Sequence, residues 1–169
     1  NAADGTRLIE ILKGRGIHCG IKVDTGIVDL GGCPNEGTTQ GLDGLGKRCA
    51  EYYGMGIRFA KWRAVLKIDP ASGLPSQAAI TANAHGLARY GSICQQNGLV
   101  PIIEPEILID GDHSIETCAE VSERVFAAVM SELLSQRLLI EGLLLKPNMV
   151  TPGASHSVRS NPSEIAWMT

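Results

Sequence analysis

The chain carries the run Leu143-Leu144-Leu145-Lys146-Pro147-Asn148, in which three leucines lead directly into a lysine. The leucines are typical of a buried strand, and an ionised side chain at its end needs a partner or a shifted pKa. A lysine whose pKa is lowered is a nucleophile of the kind that forms imines. The alternative is a lysine with its head in water, since free lysine has a pKa of about 10.4 and is almost fully protonated at neutral pH.

Outward from this run, the sequence predicts three more strands that contain or meet charged residues. The four predicted strands are Cys19–Val23, Phe59–Ile68, Leu99–Ile103 and Leu143–Leu145. One charged residue of each segment recurs at similar spacings of 39, 43 and 42 residues: Lys22, Lys61, Glu104 and Lys146. The spacing is regular although the residues that fill it are not repeated.

Helical periodicity lies between the predicted strands. Apolar or small residues at helical spacing predict two long helices, Ser76–Asn97 and Ser114–Leu138. A weaker helix over Thr38–Tyr53 is interrupted by several glycines, Thr6–Lys13 resembles the end of an earlier helix, and Asn161 marks the start of another.

Strands that alternate with helices favour parallel strands joined by crossover helices. A (β/α) barrel and an open doubly wound sheet both fit this order. The charged residues favour the barrel, because the ends of several barrel strands converge on one face. No Gly-x-Gly-x-x-Gly turn follows the first strand, as a dinucleotide-binding domain would require.

The length of 169 residues fits one domain, 1–169. A complete parallel (β/α)8 TIM barrel needs about 250 residues, so we expect about half of its βα units here. Asn1 is not an initiating methionine, and Thr169 follows shortly after a helix start. Both termini therefore look truncated, and we expect an internal fragment of a longer protein.

The composition excludes several classes of function. The formal net charge is -3 and aromatic residues make up 4% of the chain, so we expect no nucleic-acid partner, and no stretch is apolar enough to predict a membrane span. Five cysteines without a Cys-x-x-Cys pair favour a reducing, intracellular compartment. The four histidines are dispersed, so we expect no metal site. We also expect no cofactor.

The charged residues at the strands suggest a catalytic site. Lys61 and Arg63 point to the same side of one strand, and basic groups there suit a phosphate or carboxylate ligand; the alternative is ion pairing with strand-end carboxylates such as Asp24 or Glu106. Lys22, Lys61 and Arg63 are expected at equivalent strand ends, where crowded cations would disfavour protonation of Lys146. Glu104 and Glu106 could act as acid, base and charge partner, because carbinolamine dehydration needs a proton donor. Solvated carboxylates on a strand that leaves the sheet are the alternative.

Together these segments resemble the class I fructose-bisphosphate aldolases. The motifs that carry the resemblance cover nearly the whole chain in order: Gly20-Ile21-Lys22-Val23-Asp24, Gln40-Gly41-Leu42-Asp43-Gly44-Leu45, Phe59-Ala60-Lys61-Trp62-Arg63, Leu87-Ala88-Arg89-Tyr90, Val100-Pro101-Ile102-Ile103-Glu104-Pro105-Glu106-Ile107-Leu108, Leu139-Ile140-Glu141-Gly142-Leu143-Leu144-Leu145-Lys146-Pro147-Asn148 and Met149-Val150-Thr151-Pro152-Gly153.

The resemblance implies a (β/α)8 barrel, usually a homotetramer, that reversibly cleaves fructose 1,6-bisphosphate in glycolysis and gluconeogenesis without a metal. It makes Lys146 the imine lysine and Glu104 the acid and base of carbinolamine dehydration. Lys61 would contact the substrate, Lys22 and Arg63 would hold charge around it, and Glu106 would pair with the lysines. Relatives also bind actin, which makes actin a possible partner.

The resemblance also implies that further site residues lie outside the chain. An aspartate of the first strand would precede Asn1, and the phosphate-gripping loop and arginine would follow Thr169. We therefore expect the isolated fragment to be inactive. Two alternatives stay open: another imine-forming barrel lyase of the transaldolase type, and a non-catalytic scaffold that binds anions or actin. Asn148 favours a cytoplasmic form, since plastid relatives tend to carry serine there, but a plastid form is not excluded.

Overall fold

Four parallel strands form the central sheet of the computed structural model, which describes every residue from Asn1 to Thr169. The sheet strands are β1 (Cys19–Lys22), β4 (Ile57–Leu66), β5 (Val100–Ile107) and β6 (Leu144–Leu145). Two further strands, β2 (Gly26–Asp29) and β3 (Gly37–Gln40), pair as an antiparallel hairpin. The helices are α1 (Leu8–Gly14), α2 (Leu45–Gly54), α3 (Gln77–Gln96), α4 (Ile115–Ser135) and α5 (Pro162–Met168).

The strand order β1-β4-β5-β6 follows the order of the chain once the hairpin is set aside. A doubly wound sheet reverses its order at a switch point, whereas a barrel adds each new strand beside the last. The sequential order therefore identifies a barrel segment. Its outermost strands, β1 and β6, each leave one edge without a partner strand.

The two long helices begin where serine caps them. Ser76 accepts a hydrogen bond from the amide of Ala79, and Ser114 accepts one from the amide of Thr117. Such a cap satisfies an amide that has no partner within the helix. Both helices were expected at these places, and α4 ends slightly earlier than predicted because Arg137, just beyond its cap, has a φ of 57°.

The hydrophobic core lies between the sheet and its helices. Alternate residues of β4 are buried, with Trp62 stacked on Tyr90 of α3 at 5.3 Å between ring centroids. The hydroxyl of Tyr90 donates to the carbonyl of Ala60 and accepts from the amide of Ile102, so it links β4 to β5 from the helical side. The intervening residues of β4, Lys61 and Arg63, therefore point to the opposite face.

Two expectations were wrong in detail. Thr38–Tyr53 is not one helix: its first residues belong to β3, and α2 begins only after Gly41 and Gly44, whose φ angles of +125° and +65° interrupt a helix. The second error concerns β5, which continues through Glu104 to Ile107 and does not leave the sheet at Ile103.

Pro105 is tolerated inside β5 because of the side of the strand that its nitrogen faces. The carbonyl of Ile103 and the amide of Ile107 bond to the chain around Lys146, so Pro105 between them faces the same side. There β6 pairs only with Ile102 and Ile103, and the missing N–H removes no ladder hydrogen bond. None of the five helices is both long enough and apolar enough to cross a membrane.

Candidate active site

The strand register brings the charged residues of three strands to one region of the sheet. Lys22 pairs with Lys61 across β1 and β4, and Arg63 pairs with Glu104 across β4 and β5. Ile103 pairs with Leu145, which places Lys146 beside Glu104. Residues about 40 positions apart thus become neighbours, as the regular spacing predicted.

Glu104 is the centre of this region. Its side chain is only 3% exposed, yet Oε1 accepts a hydrogen bond from Nζ of Lys146 at 2.5 Å. Its other oxygen, Oε2, lies 2.7 Å from Nζ of Lys61 in an ion pair that lacks hydrogen-bond geometry. A buried carboxylate is costly without cations, so the two lysines hold its charge in place.

The two lysines reach Glu104 from different positions. Lys61 lies in the middle of β4 and not at a strand end as expected, because β4 (Ile57–Leu66) starts two residues before the predicted Phe59 and continues well beyond Lys61, as the predicted strand also did. The Lys146 side chain is 61% exposed, so its amine is accessible to a ligand on that side of the sheet. Both lysines contact the Glu104 carboxylate. Its negative charge offsets the crowding of positive charges that was expected around Lys146.

Glu106 has a different partner from the one that the resemblance implies, although pairing with Arg63 was the alternative that the sequence left open. It pairs with Nε of Arg63 and not with the lysines. The hydrogen bond from Arg63 holds the pKa of the Glu106 carboxyl below its usual value, and raises the pKa of the Arg63 guanidinium. Lys146 and Lys61 lower the pKa of Glu106 further by their charge.

Lys22 forms a second group at the end of β1. Its Nζ binds Asp24, whose side chain is 3% exposed and also accepts from the amides of Gly26 and Arg63. Lys22 thus holds a positive charge beside the Glu104 cluster without contacting Glu104. All six candidate residues lie in this region of the sheet: Lys22, Lys61, Arg63, Glu104, Glu106 and Lys146.

Two further residues position this site, and their sequence context indicated this role only weakly. Asp24 entered only as a possible ion-pair partner, and Asn148 only as an indication of subcellular form. Asn148 Oδ1 accepts the amide of Ile107 at 3.3 Å, which ties the segment after Lys146 to the end of β5. A polar residue two positions after a charged residue at a strand end was the available signal in both cases.

The arrangement supplies what imine chemistry requires. An accessible primary amine lies within hydrogen-bond distance of a buried carboxyl, and other cations surround both. An amine can attack a carbonyl, and a neighbouring carboxyl can move the proton that leaves with water. No group of three or more His, Cys, Asp or Glu side chains is arranged to hold a metal ion, and all five cysteines are free thiols.

Comparison with known proteins identifies the family. The model of the glycolytic, class I fructose-bisphosphate aldolase family matches residues 1–169, the whole chain. The chain belongs to the class I fructose-bisphosphate aldolases. The fructose-bisphosphate aldolase of Dictyostelium discoideum is 55% identical over 167 residues, and the cytoplasmic isozyme of Spinacia oleracea is 59% identical over 167.

These alignments cover 99% of this chain but 47% and 46% of those two aldolases. The chain thus spans about half the length of the curated relatives it matches. A Plasmodium falciparum aldolase, solved in complex with TRAP and a small-molecule inhibitor, superposes with a TM-score of 0.98 at 50% identity, covering 100% of this chain and 49% of that one. The sheet and helices therefore form about half of an aldolase TIM barrel.

Proposed function

We propose that this chain supplies the imine-forming part of a fructose-bisphosphate aldolase, a lyase that reversibly cleaves fructose 1,6-bisphosphate to dihydroxyacetone phosphate and glyceraldehyde 3-phosphate in glycolysis and gluconeogenesis. The observation that carries the proposal is the position of Glu104 between Lys146 and Lys61. Membership of the family supports the choice of substrate over that of a transaldolase-type lyase.

The reaction begins at Lys146. Its neutral amine attacks the keto carbon C2 and forms a carbinolamine, whose hydroxyl leaves as water once it is protonated. Glu104 lies within reach of this nitrogen: its carboxylate first takes a proton from the Lys146 ammonium, which gives the neutral amine, and the resulting carboxylic acid then donates that proton to the leaving hydroxyl. The product is a protonated imine.

Carbon–carbon cleavage follows from the charge of the imine. The C3–C4 bonding electrons move toward the cationic nitrogen and give an enamine, while a base takes the proton of the C4 hydroxyl. The protonated imine is the electron sink, so the proposed mechanism is metal-independent. Glu106 completes the proposed catalytic set with Lys146, Glu104 and Lys61.

Substrate binding in this proposal rests on cations. Lys61 contacts the substrate from the middle of β4, and Lys22 and Arg63 attract its phosphorylated part from the adjacent positions. We further propose that cleavage belongs to the whole protein and that the 169-residue chain alone is inactive, since it spans about half the length of its relatives. The whole protein is proposed to be a cytoplasmic homotetramer, with actin as a possible partner.

Borohydride trapping tests the proposal. The full-length protein that contains this segment is incubated with dihydroxyacetone phosphate and sodium borohydride, and its peptides are mapped by mass spectrometry. We expect a stable adduct on Lys146 that Lys146→Arg abolishes and Lys47→Arg, an exposed lysine change on α2, leaves intact. Absence of any adduct would favour a binding scaffold, and an adduct on another lysine would assign the imine to that residue instead of Lys146. Product analysis with fructose 1,6-bisphosphate separates the aldolase from a transaldolase-type lyase.

A further inference from the structure

A second cluster of basic residues lies at the other end of the sheet strands. Lys13 comes from the last turn of α1, His18 directly precedes β1, and Arg58 is the second residue of β4. With Gly16, Ile17 and Gly56 they line a cavity of about 230 Å³. No carboxylate lines this cavity, although the chain as a whole has a net charge of -3.

The Arg58 guanidinium is fixed in one orientation. Its Nη1 donates to the carbonyls of Tyr53 and Ile57 at 3.0 and 2.8 Å, and the group lies 4.2 Å from the centre of the Tyr53 ring. Nε and Nη2 have no acceptor in the protein. A guanidinium that is already fixed in one rotamer and still has unpaired N–H donors loses little side-chain conformational entropy when it binds an oxyanion.

The side chain of Lys13 lies along the cavity in the space next to Gly56, which has no side chain. A Cβ at Gly56 would lie 2.8 Å from Cδ and 3.2 Å from Nζ of Lys13, so the lysine occupies the room that this glycine leaves. The one counter-charge on Lys13 is Glu10, whose Oε2 is 3.6 Å from Nζ on an exposed face. An exposed pair of this kind contributes little and leaves the ammonium free to bind another anion.

We propose that this cavity binds a phosphate group. Donors from three segments surround it, which suits a tetrahedral dianion better than a planar carboxylate. The volume is below the roughly 300–1,000 Å³ typical of pockets for larger ligands, so it fits inorganic phosphate or a small phosphate monoester. It lies near Cys19, at the start of β1, whereas Lys22 ends that strand about 10 Å further along, so the two sites are distinct.

Site-resolved NMR on the 169-residue chain tests the proposal. The ¹⁵N-labelled chain is titrated with inorganic phosphate and separately with glycerol 3-phosphate, at an ionic strength held constant with sodium chloride. We expect saturable amide shifts at Gly16, Ile17 and Gly56. Equal affinity for the two probes would assign the site to inorganic phosphate, and tighter binding of glycerol 3-phosphate would assign it to a monoester; both outcomes support a phosphate site.

Matched variants separate this cavity from the candidate active site and from general charge. Lys13→Ala should weaken the affinity about tenfold, whereas Lys47→Ala, with the same charge change on an exposed position of α2, should leave it within about twofold. Arg58→Lys keeps the charge but loses the planar fork, and should also weaken binding. Lys61→Ala should leave the shifts at Gly16 and Gly56 unchanged.

Three results would overturn the proposal. They are shifts no larger than those in the chloride-matched control, equal losses in Lys13→Ala and Lys47→Ala, or loss of the Gly16 and Gly56 shifts in Lys61→Ala. The outcome does not depend on whether Lys146 forms an imine, so each proposal can fail without the other.

Discussion

Nζ of Lys146 lies 2.5 Å from Oε1 of Glu104, although the two residues are 42 positions apart in the chain. The contact follows from the parallel pairing of β5 with β6, in which the amide of Lys146 bonds to the carbonyl of Ile103. The backbone pairing therefore places the two side chains next to each other. A rigid pairing of this kind keeps a proton donor beside a nucleophile.

Replacing Glu104 tests its proposed role as the acid of carbinolamine dehydration. In the full-length protein, Glu104→Gln should lower kcat by about 10²–10⁴-fold, because the amide cannot exchange the proton. KM should change much less, since the loss falls on the transition state. Steady-state kinetics with fructose 1,6-bisphosphate measures both constants.

Glu120→Gln is the matched control for Glu104→Gln, because Glu120 is exposed on α4, away from the candidate site. It should retain the kcat of the unaltered protein. Equal activity of the two variants would remove Glu104 from the mechanism. A raised KM with unchanged kcat would instead assign Glu104 to uniform substrate binding.

The Arg63–Glu106 pair predicts a pH dependence with a definite sign. Arg63 lowers the pKa of folded Glu106, so the pair stabilises the fold at neutral pH, and this contribution is lost as the pH falls below about 4.3 and through the lowered value. Arg63→Ala should raise the pKa of Glu106. Carbon-detected NMR titration of the Glu106 carboxyl measures it, and an unchanged or lower pKa in the variant would contradict the pairing.

Sequence patterns predicted the parts of this fold that depend on periodicity. The helices α3 and α4 and the four sheet strands follow from apolar spacing and from the serine caps at Ser76 and Ser114. The hairpin of β2 and β3 was missed, because four-residue strands among glycines give too short a pattern. The end of β5 was missed because Pro105 is tolerated only where β6 has already ended.

The candidate site was predicted as a set of residues but not as a set of pairs. Convergence of strand ends placed Glu104 near Lys146, yet the register that gives Glu106 to Arg63 depends on hydrogen bonds between strands. A one-residue change in register would move each side chain to the other face. The sequence alone contains no measure of that register, so Asp24 could not be assigned to Lys22.

We expect the hydroxyl of Tyr90 to stabilise the pairing of β4 with β5 behind the site. Its buried hydroxyl bonds to the Ala60 carbonyl at 2.6 Å and to the Ile102 amide at 3.1 Å. Tyr90→Phe leaves both groups without this partner and should lower the free energy of unfolding by about 1–3 kcal/mol. Urea denaturation of the chain measures the change.

The control for Tyr90→Phe is Tyr53→Phe, which removes an exposed hydroxyl that has no hydrogen bond and keeps the ring beneath Arg58. It should change the free energy of unfolding by less than about 0.5 kcal/mol. Equal effects of the two variants would show that the hydroxyl of Tyr90 does not join the strands.

His113 predicts a loss of stability in mild acid. The residue is 3% exposed and neither ring nitrogen has a hydrogen-bond partner, and its burial, with the nearby charge of His156, lowers its pKa. Between the unfolded value of about 6.5 and the lower folded value, only the unfolded chain takes up the proton. The contribution that neutral His113 makes to the free energy of unfolding is fully present above about pH 6.5. It is lost as the pH falls below that value, by at most about 1.4 kcal/mol per pH unit for this one proton. Urea denaturation measures the free energy of unfolding between pH 7.5 and pH 5, and this free energy should depend less on pH in His113→Leu than in His18→Leu. His18 is the exposed control, measured without phosphate. The same pH dependence in both variants would mean that another group is responsible for the acid sensitivity.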